Sequence, residues 1–334
     1  MLRVVPLRRA ALAAAAVLIA SLSLGVAAAP ASAEPLKVRV GVFVNDVQDV
    51  NLEEGTYFVD FYMWMKWRGS PKANPQENID LINSFDSWGT VVRPLSVDEK
   101  VLPDGSNYRL AHYQGRYNSV LPLQKYPFSV EDLNVILEDA EDPVSRLVYV
   151  PDGSKPITQA ADLEAPGYKV GTATLNIANR AYPTNFGESG APAEPYSRIT
   201  VTVPVSRPWF PYAVKYLLPL VVVLLAAAMV FLLPPRFVEG RFGLAITALL
   251  TVIALKWTTD AELPNVDYLT LLDVLYVISL LFVIVTIAVA TYSAWQLNHG
   301  REEEEIVSVD RWALVVGSVT VVVAAAATLL IYLT

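Results

Sequence analysis

The chain has 334 residues, 54% of them hydrophobic, and a formal net charge of −8. So apolar a composition indicates a membrane protein with a soluble part, and the acidic balance speaks against nucleic acid as a partner. There is no cysteine, and the two histidines, His112 and His299, are far apart, which excludes a disulfide framework, a thiolate site and a histidine-cluster metal site and disfavours histidine-based catalysis.

Residues 1–33 carry the marks of a signal peptide. Arg3, Arg8 and Arg9 give a positive start, "ALAAAAVLIASLSLGV" an apolar segment, and "ASA" at 31–33 a small-residue cleavage site before Glu34. The alternative is a retained anchor, for which the apolar stretch is short and Ala-rich. Cleavage here starts the mature chain outside the cytoplasm.

Residues 34–206 read as strands. "KVRVGVFV" at 37–44, "TYFVDFYMWMKW" at 56–67 and "SRITVTVPV" at 197–205 alternate with period two and are rich in Val, Tyr, Phe and Trp. Turn signals separate such runs: "RGSPKANP", "LPDGSN", "VPDGSKP" and "FGESGAP". No convincing helical period intervenes, so the expected fold is an antiparallel, immunoglobulin-like β-sandwich.

Residues 207–334 hold four apolar stretches, at about 212–233, 239–260, 268–295 and 312–334. Each reaches the roughly 20 residues that a bilayer core demands, and together they predict an all-α four-helix membrane domain. Pro219 falls inside the first, where neighbouring helices must cover the freed carbonyl. Trp257, Trp295, Trp312 and Tyr332 lie near span ends, as aromatic belts do. Four spans after an exported domain return the C-terminus to the outside. The first connecting loop, "PPRFVEGR", with Arg236 and Arg241, then faces the cytoplasm, as the positive-inside rule prefers.

The second span is unusual. Glu239, Gly243, Thr247, Leu250, Ala254, Trp257 and Ala261 recur at spacings of three and four, so they share one helical stripe. Two readings stand. The small residues serve helix packing, as is common in membranes. Alternatively, several copies of the stripe line a pore, where glutamates attract cations, threonines hydrate them and a leucine ring stops them by dewetting.

The chain resembles the prokaryotic pentameric ligand-gated ion channels, the bacterial branch of the Cys-loop receptor superfamily without the loop disulfide. "NLEEGTYFVDFYMWMKW" is similar to the family's first strand pair, "YPF" at 126–128 to its aromatic-Pro-Phe loop, "KYLLPL" to its first-span proline motif, and "ELPNVDYLT" to its linker between spans two and three. The order of these pieces covers nearly the whole mature chain. Two departures stand out. Ser129 replaces the usual aspartate after aromatic-Pro-Phe, and Val92 stands near the usual tryptophan of the first ligand loop.

The resemblance implies a homopentamer, each subunit joining four identical ones in the bacterial plasma membrane among lipid, with five copies of span two around a pore. Pore-lining residues would be Glu239, Gly243, Thr247, Leu250, Ala254 and Trp257. Glu239 at the cytoplasmic mouth implies selectivity for monovalent cations, Leu250 is the candidate hydrophobic gate, and Trp257 is a rival constriction or a belt residue. Arg241 would point away from the lumen or snorkel to headgroups. An aromatic ligand box between subunits would take Phe43, Tyr62, Tyr182, Phe186 and Tyr196, with Ala140 where amine-binding members carry an aromatic. Glu138 and its acidic neighbours Asp139, Glu141 and Asp142 would draw an amine or a divalent cation. Gating coupling would fall to Glu53, Glu54, Pro127, Phe128, Arg207, Leu263 and Pro264, with a carboxylate–guanidinium pair at the junction. The activator, a small molecule or protons, is left open. No cofactor and no bound metal are implied.

Two other classes can be weighed. A membrane-embedded enzyme finds no His, Cys or paired carboxylates in the spans, where Asp273 stands alone. A surface binding protein merely anchored by four helices needs no lumen-facing stripe.

Overall fold

In a computed structural model of the protein, the described residues are 34–69, 74–86, 88–96, 100–187 and 193–333. The signal-peptide reading of 1–33 lies outside them, as do parts of "RGSPKANP" and "FGESGAP".

The N-terminal part is built from β1 (Leu36–Asn51), β2 (Thr56–Trp67), β3 (Ile79–Leu81), β4 (Val91–Pro94), β5 (Lys100–Val101), β6 (Asn107–Asn118), β7 (Val130–Asp139), β8 (Leu147–Pro151), β9 (Ile157–Gln159), β10 (Lys169–Val170), β11 (Thr174–Arg180) and β12 (Tyr196–Ser206). One sheet runs β4-β6-β2-β1-β8, with β5 on β6 and β9 on β1. The other runs β10-β12-β7-β3, with β11 on β12. The sandwich is not purely antiparallel as expected: β8 and β9 both pair with β1 in parallel. The long β1 has room on its outer edge for two short strands in succession, β8 arriving from the opposite sheet and β9 following it along the same edge.

Strict alternation puts Val38, Val40, Val42 and Val44 of β1 against Ile199, Val201, Val203 and Val205 of β12 in one core, all 0% exposed. Each buried aliphatic side chain of this size contributes roughly 1.5–3 kcal/mol. In β7 the inward positions are Glu131, Leu133, Val135 and Leu137. The same period that buries three aliphatics therefore buries a carboxylate at the membrane end of the strand.

The C-terminal part consists of α1 (Trp209–Met229, continued by a 3₁₀ turn at Val230–Leu232), α2 (Val238–Asp260), α3 (Leu271–Asn298) and α4 (Glu303–Leu333). All four are long and apolar enough to cross a membrane. The boundaries differ from the hydropathy reading in instructive ways. The helix read as 268–295 begins at Leu271, because Thr270 and Asp273 form a reciprocal capping box. Asp273, read as solitary, is thus a helix-start residue, and it also meets Lys256 at 2.7 Å. The helix read as 312–334 begins nine residues earlier at Glu303. Its first turn holds Glu303, Glu304 and Glu305, whose charges favour the positive N-terminal end of a helix dipole, so an acidic stretch that reads as linker is helix.

Candidate functional site

Helix α2 has two faces. Arg241, Ala245, Ala248, Val252 and Thr259 are buried against the other helices. Glu239, Gly243, Thr247, Leu250, Ala254, Trp257 and Ala261 all lie on the opposite, exposed face, with Leu250 61% and Trp257 73% exposed. The whole predicted stripe therefore sits where no other described residue covers it. Both Leu250 and Trp257 project from it.

The hydroxyls on this side are oriented by the helix itself. Thr247 donates to the carbonyl of Gly243 at 2.7 Å, Thr251 to that of Thr247 at 2.7 Å, and Thr258 to that of Ala254 at 3.0 Å. With the proton committed to the backbone, each oxygen offers its lone pairs outward. Such a surface presents acceptors, which suit a cation.

Arg241 points away from the exposed stripe, one of the two orientations expected of it; it does not snorkel, and it lies within α2 and not in the loop "PPRFVEGR". It is 1% exposed and pairs with Asp310 of α4 at 2.8 Å, while its Nε donates to the carbonyl of Val230 at 3.1 Å. Asp310 takes a second hydrogen bond from Ser293 of α3 at 2.7 Å. Nothing in the sequence paired these two charges. The available signal was that Asp310 falls two residues before an apolar run, within one helical turn of membrane depth.

Above the helices, the sandwich meets the membrane domain through hydrogen bonds and stacked rings. Arg207, at the end of β12, donates to the hydroxyls of Tyr126 (2.6 Å) and Tyr168 (3.2 Å). Its guanidinium carbon lies 4.9, 5.3 and 4.7 Å from the ring centres of Tyr126, Tyr168 and Tyr212. This is a three-sided aromatic cage for a cation. The predicted carboxylate–guanidinium pair is not what holds Arg207: Glu53 and Glu54 sit on the exposed β1–β2 turn, and Glu53 shares with Arg207 and Glu262 only the wall of an open polar cavity of about 570 Å³. The tyrosines are simply nearer.

From the cage a chain of hydrogen bonds leads to the outer end of α2. Tyr126 and Tyr216 share a bond of 2.8 Å, Tyr216 donates to Glu262, and Lys215 donates to both Glu262 oxygens at 2.8 and 3.0 Å. Burial alone would raise the Glu262 carboxyl; the bonds from Lys215 and Tyr216 hold it below the usual range. Pro127 is buried and Phe128 packs on the core beside Tyr126. Leu263 and Pro264 line a second junction cavity together with Leu123, Lys256 and Asp273. Two bonds from backbone amides fasten the same loop to the linker region: Leu271 N donates to Gln124 O at 2.8 Å, and Leu123 N to the Tyr268 hydroxyl at 3.0 Å. One buried group lies close by. Burial pushes the Glu131 carboxyl up, against the hydrogen bond from Ser129 and the charge of Arg207.

The predicted ligand box is half assembled within one chain. Tyr182, Phe186 and Tyr196 meet edge to face, with centroid separations of 5.4, 6.0 and 6.3 Å. They line a cavity of about 310 Å³ with Asp80, Ile82, Glu138, Asp139 and Ala140. Glu138 does not face a vacant charge site, because it is 3% exposed and holds Arg198 and the Tyr182 hydroxyl, the latter at 2.7 Å. Asp139, whose carboxyl burial pushes up, caps the turn by accepting from the amides of Glu141 and Asp142. Phe43 and Tyr62 pair on β1 and β2 of the other sheet, with ring centres 6.2 Å apart, and do not reach this cavity. Tyr62 also stacks on His112, which pairs with Asp60 at 2.7 Å.

No family model matches the chain. It is 22% identical over 275 residues, 78% of its length and 74% of the relative's, to a proton-gated ion channel of Gloeobacter violaceus. It is 22% identical over 196 residues to pH-sensitive chloride channel 2 of Drosophila melanogaster and 24% identical over 186 residues to that of Anopheles gambiae. These two matches span 58% and 56% of the chain but only 37% and 30% of the insect proteins. With a strand sandwich followed by four membrane-length helices, the chain is similar in sequence and in architecture to these channels of the Cys-loop receptor superfamily. Its relatives are ion channels, not enzymes.

Proposed function

We propose that the chain is the subunit of a homopentameric ligand-gated ion channel of the bacterial plasma membrane, with the sandwich and the C-terminus outside the cytoplasm. The observation that carries this reading is the uncovered face of α2. Five copies of it around an axis line a pore with Glu239 at the cytoplasmic mouth, outward-facing threonine oxygens above it, and Leu250 and Trp257 as the apolar constrictions. Monovalent cations are the proposed permeant ions, because the lining offers carboxylates and lone pairs. Two relatives carry chloride, so selectivity is read here from the residues and not from kinship.

Protons are the proposed activator. All three relatives respond to protons or pH by name, and the buried Glu131 beside Arg207 supplies a carboxyl that titrates above its ordinary range at the junction. The Tyr182–Phe186–Tyr196 cavity supports a second ligand site, closed by Phe43 and Tyr62 of a neighbouring copy. Purified protein reconstituted in bilayers tests the whole reading. The expected result is a five-fold particle whose current appears on external acidification and reverses near the sodium potential in a salt gradient. Reversal at the chloride potential would overturn the selectivity, and a monomer that conducts nothing would overturn the channel.

A further inference from the structure

The Arg241–Asp310 pair joins all four helices at one point. The guanidinium belongs to α2, the carboxylate to α4, the second donor to that carboxylate is Ser293 of α3, and the second acceptor for the guanidinium is Val230 at the end of α1. Burying both charges, each 1% exposed, is costly in a membrane domain unless the pairing is close and further bonds satisfy it. Yet the pair is not fully satisfied, since Arg241 Nη1 is buried without a partner. Packing does not explain the expense either. Of the 31 residues of α4, only Ile306, Asp310 and Thr328 are buried.

What the pair controls is visible two residues away. Glu239 and Gly243 flank Arg241 on α2 and point to the uncovered face, while Arg241 points into the bundle. At 100° per residue, the direction of the guanidinium fixes the direction of the glutamate. The pair also sets the sign of the field at this end of α2. With Asp310 present the guanidinium is cancelled, and on α2 itself the charge left at this end is that of Glu239. Without Asp310 each subunit carries an uncompensated cation two residues from its glutamate, and the nearest relief for that cation is water at the mouth.

We infer that Asp310, on the outermost helix and away from the pore, is a selectivity-determining positioning residue: by neutralising and retaining Arg241 it leaves the Glu239 ring to set which ions enter. This rests on the pore reading above and deepens it.

The absence of cysteine allows a test that needs no current. A single Gly243→Cys, one turn above Glu239, is exposed to cationic and anionic methanethiosulfonate reagents of equal size, and the ratio of their rates reports the local potential. In the otherwise native protein the cationic reagent should react faster. Adding Asp310→Asn should lower that ratio at least about fivefold, allowing for salt screening, and should shift the reversal potential toward chloride. The apolar pair Arg241→Met with Asp310→Leu, which removes both charges together, should leave the ratio as in the native protein; it also serves if Asp310→Asn does not assemble. A fall in the ratio with the double variant, or an unchanged ratio with Asp310→Asn, overturns the inference while the pore reading stands. No reaction at Gly243→Cys in any background means that this face meets lipid, and both fall.

Discussion

The two ends of α2 are held in different ways, and the contrast bears on what can move. At the end away from the sandwich Arg241 and Asp310 are each 1% exposed and bonded to all the other helices. At the outer end the charges stay partly wet: Lys256 is 26% and Asp260 47% exposed, and Lys215 and Glu262 are 54% and 37% exposed. An exposed pair is worth little, about 0–1 kcal/mol, because water replaces either partner readily. A buried pair cannot be opened so cheaply. The end next to the sandwich, tied to it by exchangeable bonds, is therefore expected to shift more easily than the buried end, which the variants below test.

The contrast can be broken most forcefully from within. Arg241→Ala strands a buried carboxylate, and a loss of about 3–5 kcal/mol is expected; detergent-solubilised protein should lose its assembled form on size exclusion. Glu262→Gln at the other end should leave assembly intact. Equal damage from both would abolish the distinction. Next in size is Arg207→Lys, which keeps the charge but loses the planar stacking of the tyrosine cage. A weakening of about 1–2 kcal/mol is expected, a roughly tenfold change in the activator concentration for half-maximal current, with single-channel conductance unchanged. Tyr216→Phe deletes the hydroxyl that passes from Tyr126 to Glu262. About 1 kcal/mol, or a fivefold change in half-maximal activation, is expected; no change would mean that the relay does not couple the domains.

The smallest effect sharpens the role of the junction acid. Burial raises the Glu131 carboxyl, so in the ordinary carboxylate range the folded chain binds more protons than the unfolded one. Stability then falls as pH climbs from that range through the raised value. Glu131→Gln removes the dependence. Its thermal midpoint should exceed that of the native protein by about 2 °C at neutral pH and match it in acid, where Glu131 is protonated in both states. A midpoint raised equally at both pH values would point to packing instead.

The sandwich and the stripe on α2 were legible in the sequence because each rests on a short period: two for β12, three to four for Glu239 through Ala261. The junction was legible only in part. Resemblance drew attention to Arg207 and the "YPF" loop, but the three tyrosines that surround Arg207 come from positions 126, 168 and 212, which no local pattern connects. The acid that replaces the missing aspartate in its neighbourhood, Glu131, stands two residues from the expected place, inward by strand alternation. Asp310 was hidden by a boundary: hydropathy began the fourth span at Trp312, whereas dipole-favoured glutamates extend α4 back to Glu303.

The length of α4 has a mechanical consequence. Thirty-one residues at 1.5 Å each make a rod of about 46 Å, against a hydrocarbon layer of about 30 Å. The rod is pinned near its inner end by Asp310 and touches the α2–α3 linker at its outer end, where the Tyr332 hydroxyl donates to the Leu269 carbonyl at 3.3 Å. Between these points only Thr328 is buried by the rest of the described chain. The charged first turns of α4 stand outside the apolar layer and the stretch from Trp312 onward, about 33 Å, matches it, so a thinner bilayer is expected to tilt the rod and to pass that tilt to the linker through Tyr332. Lipid chain length is thereby expected to act on the α2–α3 linker.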